Sequence, residues 1–190
     1  TGIYRIELAV SPNQPNYVYA LFGFSGSGNN NGFHSVYRTT NAGDNWTGMA
    51  LYSQGAPNLL GWESDGGDTG GQAWYDLVLA ASPTDANTIF VGGVNCWKST
   101  NGGTDWSLSS HWWGDGVPAV HADHHHLAYS KNTSRLYNGN DGGIYRTTNG
   151  DTNWTWLGSG LPITQFYRFG TSKTNSTRII AGAQDNGTKL

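Results

Sequence analysis

Short apolar runs that close on a serine recur four times along the chain. They are IELAVSP (6–12), LVLAASP (77–83), HLAYSK (126–131) and YRFGTSK (167–173), with the serines at positions 11, 82, 130 and 172. Runs of this length, bounded by turn-forming residues, are typical of β-strands. The pattern therefore predicts that the same kind of strand begins each of four repeats.

Further strand-like segments lie between these runs, separated by Gly, Asn, Asp and Ser. We expect strands near 3–10, 17–22, 34–39 and 46–51, near 74–81, 88–93, 95–99 and 106–109, near 122–129, 135–138, 143–147 and 154–157, and near 165–171 and 178–182. The serines are 71, 48 and 42 residues apart. The two shorter spacings suit a four-stranded propeller blade of ~40–50 residues.

The predicted fold is all-β: a β-propeller with four-stranded antiparallel blades, of which the chain holds about three and a half blades of a larger propeller. The blades are expected at approximately 1–73, 74–121, 122–164 and 165–190, the last with only its first two strands. Such a piece leaves apolar sheet faces uncovered at its two ends. We expect Ile6, Leu8, Tyr167 and Phe169 to be exposed there and to need the remainder of the chain or neighbouring subunits as cover.

The composition supports short strands joined by tight turns. The chain has 28 Gly, 13% aromatic and only 12% charged residues, which argues against disorder. A net charge of −3 without a basic stripe argues against a nucleic-acid partner. No apolar run approaches the ~20 residues of a membrane span. Cys96 is the only cysteine, which excludes an internal disulfide, and its alignment with the apolar Val36 and Ile144 predicts a buried, reduced thiol.

Three nine-residue segments line up without gaps: RTTNAGDNW (38–46), KSTNGGTDW (98–106) and RTTNGDTNW (146–154). They resemble the Asp-box, or BNR repeat, of sialidases, sortilin-like receptors and xyloglucanase-type glycoside hydrolases. The matching positions are Thr39, Asn41, Gly43 and Trp46, then Ser99, Asn101, Gly103 and Trp106, then Thr147, Asn149 and Trp154. Asn replaces the usual Asp, and Asp151 replaces the usual Gly. Asn also accepts backbone hydrogen bonds, so the turn is expected to survive.

This resemblance implies a structural role for these segments, because in the family they link the third and fourth strands on the lower rim, away from substrate. The segments GNDGGIYRTTNG, GLPITQFYR and AGAQDNG look most like large secreted bacterial Asp-box proteins, often labelled glycosyl hydrolase or sortilin-like. Many of these carry a type IX secretion domain. The resemblance therefore implies a secreted or cell-surface protein.

In the same family the start of each first strand faces the upper mouth of the propeller. Aligning the serines places Asp76 and His124 at one level and Asp123 beside them, with His126 and Arg168 two positions further along. Asp76 and Asp123 are therefore candidate catalytic carboxylates. Asp141 is a third candidate, because its turn resembles the DVGGAYR segment whose Asp is catalytic in xyloglucanase-type enzymes, although aligning the glycines places Asn140 there.

Candidate substrate-binding residues come from Trp-rich loops and from the mouth: Trp62, Trp74, Trp112, Trp113, His124, His126 and Arg168. Exposed Trp faces stack on sugar rings. The alternative is that these Trp side chains cover the apolar edges between blades.

A divalent metal, zinc or calcium, is a weaker expectation, and no cofactor is firmly implied. On a continuous strand, His121, Asp123 and His125 would share one face and offer a metal site. The loop DGGDTGG (65–71) offers carboxylates to calcium. The alternative is that the histidines bond neighbouring blades or line the mouth without metal.

Two functions remain open from the sequence. The first is a secreted carbohydrate-active propeller that binds or hydrolyses a glycan at its upper mouth. The second is a non-catalytic adhesion or scaffold propeller on the cell surface, binding a protein or a polysaccharide.

Overall fold

The computed structural model describes residues 2–26, 30–131, 133–148, 153–161, 164–175, 177–184 and 187–189. The chain divides into two compact units, Thr1–Leu157 and Gly158–Leu190. Asn149, one of the repeated turn residues, and Asp151 lie outside the described residues.

The first unit consists of three four-stranded antiparallel sheets, each formed by strands that follow one another along the chain. The strands of sheet 1 are β1 (Ile3–Ser11), β2 (Gln14–Phe24), β3 (Phe33–Thr39) and β4 (Thr47–Leu51). Those of sheet 2 are β5 (Val78–Ala81), β6 (Ile89–Gly92), β7 (Cys96–Ser99) and β8 (Ser107–Ser110). Those of sheet 3 are β9 (His124–Tyr129), β10 (Leu136–Asn140), β11 (Gly143–Thr147) and β12 (Thr155–Trp156). The predicted all-β architecture with four-stranded blades is confirmed.

Sheet 2 is buried on both faces, which explains its nearly continuous apolar runs. Leu79 and Val91 pack with residues of sheet 1 such as Leu21. Val78 and Phe90 point to the other face, where they pack with Leu127 of sheet 3. Successive strand residues alternate between faces, so each run must be apolar at every position to fill both cores.

Cys96 belongs to the core between sheets 2 and 3 and is fully buried as a free thiol. This confirms the predicted burial. Burial raises the pKa of the thiol to about 12, so it remains protonated at neutral pH.

The second unit contains a three-stranded sheet, β13 (Phe166–Thr171), β14 (Ile179–Ala183) and β15 (Thr188–Lys189). The prediction of only two strands in this repeat is therefore wrong, because a short third strand pairs with β14. The expected exposure at the two ends is confirmed: Leu8 is 61% exposed on β1 and Phe169 is 74% exposed on β13.

The three repeated nine-residue segments link the third and fourth strands of their sheets. In sheet 1, Thr39 Oγ1 accepts from the Gly43 N–H at 3.0 Å, and Asn41 Oδ1 accepts from the Asn45 N–H at 3.0 Å. In sheet 2, Ser99 and Asn101 accept in the same way from Gly103 and Asp105, at 2.9 Å in both cases. Asn therefore supplies the acceptor that these turns require.

Two strands begin later than predicted, and both differences matter for the site. β5 begins at Val78 rather than 74, because the Tyr75 and Asp76 N–H groups both donate to the Gln72 carbonyl and close a turn. β9 begins at His124 rather than 122, because Asp123 has a φ of +65°. A left-handed residue cannot continue a strand.

Candidate functional site

Polar side chains of sheets 2 and 3 meet at one end of the first unit, which we call the upper end. It consists of the segments that enter β5 and β9 and of the turns β6–β7 and β10–β11. The His124 N–H donates to the Gly93 carbonyl at 2.9 Å and joins the β6–β7 turn to the start of β9. The sequence predicted that Asp76, Asp123 and Asp141 lie here, and all three do.

Asp141 lies in the β10–β11 turn and is held by side chains from two sheets. Tyr75 Oη donates to Asp141 Oδ2 at 2.9 Å, and His125 Nε2 pairs with Asp141 Oδ1 at 2.7 Å. The Tyr75 ring stands edge-on to His125 with centroids 4.8 Å apart. Because the Asp141 side chain retains 16% of its exposure, the carboxylate is both fixed and accessible to a ligand.

Asp76 and Asp123 form a pair of carboxyl groups, joined by the side-chain amide of Gln72. Gln72 Nε2 donates to Asp76 Oδ2 at 3.0 Å and also to Asp123 Oδ1. Burial, together with the charge of the nearby Asp123, raises the pKa of Asp76 to about 8, and the Gln72 hydrogen bond opposes this shift. Asp76 is therefore protonated at neutral pH.

The two members of this pair differ in access. Asp76 is fully buried, which argues against the predicted direct role of its carboxyl group in catalysis. Asp123 is partly exposed and adopts a left-handed backbone conformation that non-glycine residues seldom adopt. Backbone strain of this kind is often found at functional sites, and Asp123 is the member of the pair that a ligand can reach.

The expected sharing of a face by His121, Asp123 and His125 does not hold, because the alternation of a strand begins only at His124. His121 packs instead against Gly142, and His125 pairs with Asp141. Within the described residues, no three His, Cys, Asp or Glu side chains group as metal ligands.

The carboxylates of the DGGDTGG loop hold the loop itself. Asp65 Oδ1 accepts from the Gly67 N–H and Asp68 Oδ2 accepts from the Trp62 N–H, each at 2.8 Å. Each carboxylate thus accepts a backbone N–H of its own loop, while Asp68 Oδ1 is buried with no hydrogen-bond partner among the described residues.

His124 and His126 have opposite surroundings although they lie on the same strand. His124 is fully buried, and its Nδ1 lies 2.8 Å from the Asn138 amide nitrogen. Its burial argues against the predicted contact with a substrate. His126 is exposed. Arg168 is exposed on β13 of the second unit.

The predicted Trp residues form exposed aromatic surfaces. Trp112 and Trp113 have ring centroids 4.6 Å apart, inclined by 34°, and are 41% and 64% exposed. Trp74 is 54% exposed and lies 5.5 Å from the Tyr75 ring, beside the Asp141 carboxylate. Their exposed faces are of the kind that stacks on sugar rings.

A buried Asn and a buried His connect the Trp loops. Asn95, in the β6–β7 turn, donates to the Trp62 carbonyl at 3.0 Å and accepts from the Trp112 N–H at 3.2 Å. His111 Nε2 also bonds the Trp62 carbonyl at 3.0 Å, while Nδ1 accepts from the Trp113 N–H at 3.4 Å. These contacts join the Trp112–Trp113 pair to the loop that carries Trp62.

Sequence reasoning missed Gln72 and Asn95 as residues that organise the site. Each is an amide with partners far away in the chain: 51 residues separate Gln72 from Asp123, and 33 separate Asn95 from Trp62. A polar residue beside buried apolar neighbours, as in GGVNCW, was the one available signal.

Comparisons with known proteins bear on the fold. No family model matches the chain, and neither does any curated protein. Among solved structures, a GH74 enzyme of Niastella koreensis is similar over 98% of this chain and 27% of its own, with 21% identity and a TM-score of 0.56. The chain has a β-propeller fold.

Two further structures share this fold. The nidogen/laminin complex structure is similar over 95% of this chain and 57% of the other, with 14% identity and a TM-score of 0.51. The GH93 α-L-arabinofuranosidase of Fusarium graminearum, solved with arabinobiose, is similar over 81% of this chain and 47% of the other, with 13% identity and a TM-score of 0.50. The chain thus spans about a quarter of the length of the GH74 enzyme. In the part of the chain that the structure describes, no helix could cross a membrane.

Proposed function

We propose that this chain provides part of the glycan site of a carbohydrate-active β-propeller and that the upper end of sheets 2 and 3 hydrolyses a glycosidic bond. One observation carries the proposal: two accessible carboxyl groups, Asp123 and Asp141, occupy different electrostatic surroundings at the same end of the molecule. Glycosidases require two carboxyl groups in different protonation states.

The surroundings assign the roles. Asp141 accepts a hydrogen bond from Tyr75 and pairs with His125, and these two contacts orient its carboxylate. Asp123 belongs to the pair that holds a proton together with Asp76. In the proposed reaction, the proton of the pair moves from Asp76 to Asp123 along the hydrogen bond between their side chains, and from Asp123 to the leaving oxygen as the glycosidic C–O bond breaks. Asp141 either accepts a proton from the attacking water or attacks the anomeric carbon itself.

Trp74 and the Trp112–Trp113 pair are proposed to bind sugar rings, because their exposed faces suit stacking on the C–H face of a pyranose or furanose. Fold similarity to the GH74 and GH93 enzymes supports a glycan ligand by analogy.

The test is hydrolysis of a polysaccharide panel by the intact protein, read as released reducing ends. The panel contains β-glucans, xyloglucan, mannan, xylan and arabinan. We expect Asp123→Asn and Asp141→Asn each to lower the rate by about 10²- to 10⁴-fold. Asp44→Asn, in an exposed turn between β3 and β4, is the matched control and leaves it unchanged. Equal hydrolysis by wild type and by the double Asp123→Asn/Asp141→Asn variant overturns the proposal.

A second candidate is a non-catalytic adhesion propeller, favoured by the adjacent exposed rings of Trp112 and Trp113. Such rings bind polysaccharide or protein without chemistry, and one of the structures that share this fold is a nidogen/laminin complex. Glycan-array binding that is lost in a Trp112→Ala/Trp113→Ala variant, with no hydrolysis of any panel member, would favour this function.

We also propose that the nine-residue turns are Asp-boxes and that the protein acts outside the cytoplasm, in secreted or surface-bound form. The turn hydrogen bonds of Asn41 and Asn101 support the first. Fractionation of the producing cells tests the second.

A further inference from the structure

Asp76 is a buried carboxyl group that acts in the proposed reaction only through Asp123. Its Oδ2 accepts from Gln72, while its Oδ1 is buried with no hydrogen-bond partner among the described residues. A buried ionised carboxylate with an unpaired oxygen is costly. A proton on the carboxyl group removes most of that cost.

Gln72 is placed to hold Asp76 and Asp123 together. The turn in which the Asp76 N–H donates to the Gln72 carbonyl at 3.0 Å brings these two residues onto one side. An amide nitrogen carries two N–H bonds, and Gln72 Nε2 donates to a carboxylate oxygen of each Asp. The amide thus fixes the separation of the two carboxyl groups without supplying a proton.

We propose that Asp76 is a positioning residue that keeps one proton beside Asp123, with Gln72 fixing the pair. Two carboxyl groups held this close do not both ionise readily. The buried member retains the proton because its ionised form would lose the most hydration, so Asp123 faces the upper end beside a neutral neighbour.

The charged groups around the pair are consistent with this assignment. Asp123 is the charged group that most affects Asp76, and it raises the pKa of Asp76 as burial does. Arg5 reaches this region from sheet 1, but its Nη1 donates to the Tyr75 carbonyl at 3.0 Å. His125 is paired with Asp141, and His121 and His124 lie two residues before and one residue after Asp123 in the chain.

The experiment is carboxyl ¹³C NMR of the intact protein labelled at aspartate, titrated from pH 4 to 10 without any glycan. We expect one carboxyl resonance to titrate near pH 8, the value expected for Asp76. That resonance should be absent in Asp76→Asn and present in Asp65→Asn, an exposed control in the same loop. In Gln72→Leu the midpoint should rise, because a hydrogen bond that favours the ionised form has been removed.

Asp76→Asn is close in shape to protonated Asp76, so it should keep the fold, as checked by near-ultraviolet circular dichroism. If it does not fold, the wild-type and Asp65→Asn titrations still decide the question. The inference is overturned if no wild-type carboxyl group titrates above pH 6, or if the high midpoint persists in Asp76→Asn.

This inference deepens the proposed function, and the two can fail separately. A titration near pH 8 in a protein that hydrolyses nothing supports the proton-holding pair and removes the proposed reaction. Hydrolysis that needs Asp123 and Asp141, with no carboxyl group titrating above pH 6, keeps the reaction and removes the pair.

Discussion

Tyr75 Oη donates to Asp141 Oδ2 across the boundary between sheets 2 and 3, at 2.9 Å. Tyr75 belongs to the turn before β5 and Asp141 to the turn after β10, so the packing of two sheets sets this contact. The residue adjacent to Tyr75 is Asp76, which places the Asp76–Asp123 pair beside the Asp141 cluster. Any movement of sheet 2 relative to sheet 3 therefore changes both carboxyl centres.

Replacing Tyr75 by Phe tests how far Asp141 depends on this contact. Removing the hydroxyl takes away this bond, while His125 Nε2 still pairs with Asp141 Oδ1. We expect glycan hydrolysis to fall about 10- to 100-fold, by analogy with the loss of an orienting hydrogen bond. Tyr4→Phe is the control, since Tyr4 is 61% exposed in sheet 1. An equal effect of the two substitutions would contradict the role of Tyr75.

Replacing Gly142 by Ala tests the close packing of His121 against Gly142. A Cβ at Gly142 would lie 2.4 Å from the His121 Cβ and Cγ atoms, so the imidazole must move. We expect a loss of about 1–3 kcal/mol in the free energy of unfolding, measured by urea denaturation, as for other overpacked sites. Gly139→Ala in β10 is the control, because its nearest contact, His126 Cβ, would be an ordinary 3.8 Å away. Equal losses in both variants would contradict the close packing.

The repeats allowed much of the fold to be predicted from the sequence. The apolar run that contains Leu79 indicated a buried strand, and the alignment of Cys96 with Val36 and Ile144 indicated a buried thiol. Local hydrogen bonds determine the nine-residue turns, which form the same bonds in sheets 1 and 2. Asn41 and Asn101 could therefore be assigned as turn residues without a structure.

The carboxylates and the Trp residues of the site were predictable, but the contacts that hold them together were not. The left-handed φ of Asp123 shifted the start of β9 and invalidated the alternation on which the metal triad depended. The bonds of Gln72 to Asp123 and of Asn95 to Trp62 join loops of different repeats. Such contacts depend on how two sheets pack, and a one-dimensional pattern does not contain that information.

Cys96 should resist a bulky thiol reagent until the protein unfolds. Its side chain is fully buried, so the reagent cannot reach it, and its pKa is raised to about 12, so the reactive thiolate does not form at neutral pH. We expect labelling to follow global unfolding in a urea series. An exposed thiol in a Cys96→Ala/Thr40→Cys variant should react at once, since Thr40 is exposed. Rapid labelling of the native wild type would contradict the burial.

Asp76 should make the protein less stable as the pH is raised. Its pKa is about 8 in the folded state against 3.8 for the ordinary group, so between these values the folded state binds more protons. Stability is then lost as the pH rises through this window. Thermal unfolding from pH 5 to 9 should show a decline that Asp76→Asn reduces and Asp65→Asn does not. An unchanged slope in Asp76→Asn would contradict the protonated state.

His124 should make the protein less stable as the pH is lowered, the opposite of the effect of Asp76. Burial, together with the charges of His125 and His121, lowers its pKa from 6.5 to about 4, and the Asn138 contact opposes this shift. Between pH 6.5 and 4 the unfolded state therefore binds more protons, so acidification favours unfolding. His124→Gln should flatten the dependence of stability on pH in that window, whatever its effect on absolute stability. His126→Gln, an exposed position on the same strand, should leave the slope as it is. If both variants keep the wild-type slope, His124 is not the group that titrates.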